Sequence, residues 1–155
     1  MKKVLLLLVL MSVMYINVHA GLSKIKSVKI ITTAKKSEFI KQEEIDNQVI
    51  KSFANKLPQI KVGKSGKITC EVRYSDGYFK IEDDIFGSYY LGVAMKSDFK
   101  KYDKISPSRK TYWERGFFMP SINSKDLGES VKNNIDSIID AFVVEWYKDK
   151  EKEKK

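Results

Sequence analysis

Residues 68–99 constrain the fold more tightly than any other part of the chain. Ile68, Cys70, Val72 and Tyr74 alternate with Thr69, Glu71 and Arg73, the two-residue period of a strand with one apolar and one polar face. Tyr89, Leu91, Val93, Met95 and Phe99 repeat that period with larger side chains. Ser75-Asp76-Gly77 lies between the two runs and offers the positive φ values of a tight turn. The two runs are therefore expected to be adjacent, antiparallel strands sharing one oily face that the rest of the chain must cover.

Two segments have the pattern to cover it. Between residues 41 and 57, Ile45, Val49, Phe53 and Leu57 drift by only about 40° each at the helical period, with Ile50 on the same flank. Glu43 and Glu44 suit the start of that helix and Lys56 its end, and Pro58 stops it. In the second, Leu127, Val131, Ile135, Ile138, Ile139, Phe142, Val143 and Trp146 share an arc of about 160°, with Asp136, Ser137 and Asp140 opposite. Ser124 can cap this helix, with Asp126 in its first turn.

The remaining strands are weaker. Residues 24–33 alternate lysine with branched apolar residues, which puts Val28 and Ile30 inward. Residues 59–62 read as a short edge segment. Residues 111–119 read as a fourth strand whose facing is open, because both alternating sets are aromatic: Trp113, Arg115, Phe117 and Met119, or Tyr112, Glu114, Gly116 and Phe118. Pro120 is expected to end the sheet. The predicted fold is α+β, a mostly antiparallel sheet of about four strands with two helices packed on one face.

Lys2 and Lys3 precede an apolar run that closes on Val18-His19-Ala20 before Gly21, the pattern of a secretory signal peptide over residues 1–20. The apolar span is shorter than the roughly 20 residues that cross a bilayer, so no transmembrane anchor is expected after cleavage. Residues 21–147 then form one domain, and residues 148–155 a charged, flexible tail. The expected location is periplasmic or secreted.

Residue inventory excludes several chemistries. The single histidine, His19, falls in the signal peptide, so the mature chain has no imidazole for Ser-His-Asp or Cys-His catalysis, and none for zinc or haem ligation. Cys70 has no partner for an internal disulfide and sits on an apolar strand face. Gly63-Lys64-Ser65 is not a phosphate-cradling loop, since Pro58 stands where its first glycine belongs. Glu82-Asp83-Asp84 lacks calcium-loop spacing and reads as a solvated turn. No cofactor is expected.

The strand from Tyr89 to Phe99, the Thr111-Tyr112-Trp113-Glu114 strand and the closing helix with its Ile-Ile-Asp-Ala-Phe core resemble small exported bacterial envelope proteins of uncharacterised function. The strand, helix, strands, helix order is similar to that of auxiliary subunits of envelope transport systems. That resemblance implies an α+β domain with no inherited catalytic residues.

The function expected from these features is non-catalytic: an exported protein that binds an envelope partner protein or ligand through the open sheet face or an edge. Candidate partner-binding residues are Glu71, Arg73 and Tyr90 with Thr69, joined by Trp113 and Arg115 or by Tyr112 and Glu114. The alternative is lysine-driven binding to an anionic surface such as a lipid head group, lipopolysaccharide or nucleic acid, since Lys and Arg number 29 against 20 Asp and Glu; Lys24, Lys26, Lys29 and the C-terminal run are its candidates. A histidine-independent hydrolase would need the Glu71 and Glu114 carboxylates, or Ser97 with Lys100.

Overall fold

A computed structural model describes residues 16–18, 21–34, 37–63, 65–66, 68–97 and 111–155. Most of the expected signal peptide lies outside them. In chain order the elements are β1 (Ile16–Val18), a single 3₁₀ turn (Leu22–Lys24), β2 (Ser27–Ala34), α1 (Gln42–Lys56), β3 (Lys61–Gly63), β4 (Ile68–Ile81), β5 (Asp84–Ser97), β6 (Thr111–Asn123) and α2 (Ser124–Lys152).

The strands form one sheet in the order β1-β6-β5-β4-β2-β3. It is α+β with two helices, as expected, but the sheet is mixed and has six strands, two of them only three residues long. β4 pairs antiparallel with β5, β5 with β6 and β6 with β1. β2 runs parallel to both β3 and β4. The parallel pairings follow from α1, because a helix between two strands returns the chain to its starting edge.

Three local expectations are corrected. Ser75-Asp76-Gly77 is not the hairpin turn: β4 runs through it, and the connection is Glu82-Asp83, with Glu82 at φ 55° and Ile81 opposite Asp84. Asp76 is instead an acceptor on the helix side of the sheet, taking the hydroxyls of Ser37 and Tyr74, the latter at 2.8 Å. Pro120 does not end β6. It falls where three steps along β6 (Met119 to Ile122) face two along β5 (Tyr89 to Gly87), a bulge in which a missing N–H costs no ladder bond. The expected flexible tail from residue 148 is helical to Lys152, capped at the other end by Asn123, whose side chain accepts from Lys125 N–H at 3.0 Å.

Both helices lie on the same side of the sheet. Ile45, Val49, Phe53 and Leu57 are all fully buried, but Ile50, expected beside them, is exposed. Seven of the eight predicted α2 positions are buried, with Val143 partly so, each worth about 1.5–3 kcal/mol on transfer from water. Phe142 is the centre of the stack, edge-on to Phe53 of α1 at 5.9 Å and to Trp113 of β6 at 5.4 Å between ring centroids. Asp136, placed on the outer side of α2 by sequence, joins the helices: it accepts from Gln48 at 2.9 Å and Ser52 at 2.7 Å, while Lys56 reaches Asp140 at 2.8 Å.

Candidate functional site

The other side of the sheet carries the polar set of β4. Because side chains alternate, Thr69, Glu71, Arg73 and Ser75 point away from the helices, and the register sets Lys96, Ala94, Gly92 and Tyr90 of β5 beside them. β6 continues each row with Glu114 next to Ala94, Gly116 next to Gly92 and Phe118 next to Tyr90.

Where one small residue separates two strands, long side chains meet across it. Arg73 Nη2 donates to Glu114 Oε1 at 2.7 Å over β5, and its Nε lies 3.1 Å from Glu71 Oε1, close enough for charge attraction but not aligned as a hydrogen bond. Lys96 Nζ donates to the second oxygen of Glu71 at 3.0 Å. Two cations and two carboxylates thus alternate across three strands. Arg73 and Glu71 are the shared members; Arg73 is still 39 % exposed, so its pairings carry the modest energies of partly solvated ions rather than those of a dry pair.

Beside the ions lies an aromatic platform. A methyl group built on Gly92 would stand 2.5 Å from Tyr90 Oη, and one on Gly116 would stand 3.0 Å from the same atom. Tyr90 therefore lies flat along the sheet over the directly paired Gly92 and Gly116, and any larger residue at Gly92 would lift it. Tyr90 is 37 % and Phe118 46 % exposed, and Ile31, Phe79 and Ile81 of the same face are exposed to a similar degree or more. Phe79 stacks on Phe86 at 5.8 Å.

Of the predicted site residues, the structure brings Glu71, Arg73 and Tyr90 together, with Glu114 as the fourth-strand member. Trp113 is corrected: it is fully buried against Phe142 on the helix side, opposite Met95. Arg115 shares that side of β6 and is likewise not on the open face. Tyr112 sits at a bulge, between Thr111 opposite Lys96 and Trp113 opposite Met95, and its ring lies near Gly21. Thr69 is on the open side but fully buried. Lys96, Phe118 and the glycine pair were not singled out from sequence; a glycine in a strand interior is itself a signal of close approach.

Both carboxylates that a hydrolase would use are tied to Arg73, and Lys100 lies outside the described residues. Among the described residues no group of three or more acidic, cysteine or histidine side chains is placed to hold a metal, and no helix is long and apolar enough to cross a membrane. The lysines are interleaved with acids: Lys24 meets Glu153 at 3.6 Å and Lys148 meets Glu145 at 2.9 Å.

Cys70 faces the helices and is fully buried, and desolvation pushes its thiol up to about 12, with the Glu71 charge adding to the effect. A thiol held neutral and covered is a poor nucleophile. Labelling with a thiol reagent at pH 8 is expected to proceed only at the rate of unfolding, and to become fast in denaturant; rapid labelling of the native protein would contradict this burial.

No protein-family model matches the chain, and no curated protein matches it in sequence. Among solved structures it is similar to a PelC variant from Paraburkholderia phytofirmans, described as a dodecamer. The two share 9 % identity at a TM-score of 0.53, over 85 % of this chain and 97 % of that one. At that identity the likeness concerns the fold.

Proposed function

We propose that this is an exported, non-catalytic binding protein of the bacterial envelope, and that the sheet face away from the helices is where a partner protein docks. The observation that carries the reading is the pairing of Tyr90 and Phe118, both substantially exposed, beside the Arg73 ion cluster on a face that no described helix covers. Exposed aromatics next to a charge network whose members are already paired supply apolar contact without leaving a bare charge to desolvate.

The export reading rests on the composition of residues 1–20 and adds a second feature. β1, the one described piece of that segment, pairs Ile16–Val18 with Arg115, Glu114 and Trp113 of β6. Cleavage after Ala20 would remove it and leave that edge of the sheet open beside the aromatic platform. Association of several copies, as in the PelC dodecamer, is one use for such an edge.

Capture from an envelope extract tests the proposal, using the mature protein beside a variant carrying Tyr90→Ala and Phe118→Ala. A partner that survives high salt and is lost with the double variant is the expected result. Binding that survives the substitutions and disappears between about 50 and 500 mM salt would instead favour an anionic surface, because exposed ion pairs are screened over that range.

A further inference from the structure

The carboxylate of Asp149 stands in the last turns of α2, where the helix dipole disfavours negative charge. Its compensation comes from 128 residues earlier. Gly21 N–H donates to Asp149 Oδ2 at 3.2 Å, Ser23 N–H at 3.0 Å and Ser23 Oγ–H at 2.9 Å. The segment that brings them there is independently held, since Leu22 is fully buried and Ile25 nearly so. Lys24 adds its contact with Glu153.

Gly21 is also the residue that follows the expected cleavage point, and its nitrogen is the atom that cleavage would free. We propose that hydrolysis of the Ala20–Gly21 bond turns this amide N–H into an α-ammonium that pairs with Asp149 and fastens the new N-terminus to the end of α2. The inference rests on the export reading above. Water divides across the bond, hydroxyl to the Ala20 carbonyl carbon and hydrogen to the Gly21 nitrogen, which takes up one further proton at neutral pH.

Before cleavage a neutral donor meets a carboxylate. Afterwards the same contact is between opposite charges, so ion-pair attraction adds to a hydrogen bond that the carboxylate already strengthens. The ammonium also lies at the helix end that favours positive charge. Gly21 sits at φ 100°, a conformation only glycine adopts readily. A first residue has no φ, so that constraint disappears with the bond.

The charged neighbours set the pH dependence. Asp149 is held below the usual carboxylate range, first by Ser23 N–H, which burial opposes as the next largest effect, and further by the Ser23 hydroxyl, Gly21 N–H and Lys152. Its contribution is therefore present above its unfolded value and lost as pH falls through the lowered one. The paired ammonium has the opposite sign. Its contribution is full below the ordinary α-amino value of about 8 and lost as pH rises through the higher value that pairing gives it.

The test uses protein released from a fusion so that it begins at Gly21, free or N-acetylated, each with and without Asp149→Asn. Acetylation removes the charge and leaves the Ser23 donors in place. At pH 6.5 the substitution is expected to lower Tm by about 2–5 °C more in the free-amine protein than in the acetylated one. That excess should vanish above about pH 10.5, where the amine is neutral. Acetylation alone should lower Tm, which keeps the test usable if Asp149→Asn folds poorly. Equal losses in both backgrounds would overturn the pairing. N-terminal sequencing of the exported protein checks the other half: a start other than Gly21 removes the export reading without altering the outcome measured on the purified protein.

Discussion

Phe142→Ala is expected to destabilise the protein by about 3–5 kcal/mol, the range for removing a large buried aromatic from a packed core. The residue is fully buried and touches both layers, meeting Phe53 on the neighbouring helix and Trp113 on the sheet in edge-on contact. Truncation would open a cavity that α1, α2 and β6 all line, and none can close it without leaving its other contacts. Urea unfolding followed by Trp fluorescence would measure the loss. A cost below about 1 kcal/mol would mean that the three elements do not meet at this ring.

Arg73→Ala should be the most costly change on the open face, at about 1–3 kcal/mol. It takes from the carboxylates of Glu71 and Glu114, which face each other across β5, the cation they share, while Lys96 stays on Glu71. The figure stays below that for a fully buried pair because the guanidinium is partly solvated. The diagnostic is the double variant. If unpaired charge is the main penalty, Arg73→Ala with Glu114→Gln should recover part of the loss, whereas simple additivity would show that the arginine acts through packing alone. The same single variant should weaken partner capture, since Arg73 adjoins the strip over which Tyr90 lies.

The helices were legible because their apolar residues recur every three or four positions with few exceptions, and burial follows that spacing nearly residue by residue. Strand facing was legible on β4, where polar and apolar residues alternate cleanly. It was not legible on β6. Trp113 and Tyr112 are equally greasy, and what decides between them is the bulge near Tyr112 and the distant ring of Phe142. The hairpin turn was misplaced for a related reason: Asp76 has the composition of a turn residue, but Tyr74 and Ser37 use its carboxylate within an extended strand. Of the candidate site, Glu71, Arg73 and Tyr90 followed from period alone. Lys96 and Phe118 depend on register across β5, which no single strand encodes.

The contact between Gly21 and Asp149 spans 128 positions, so the fold is closed by its first and last pieces. During synthesis, when the leading part of a chain emerges first, Leu22 cannot complete its packing until α2 arrives. β2 likewise waits for β4, its long parallel neighbour. The chain must therefore hold β2 uncommitted at both edges until its neighbours are made, with Lys29 inside the strand and Lys24 and Lys26 just before it as the charges that keep this stretch in solution.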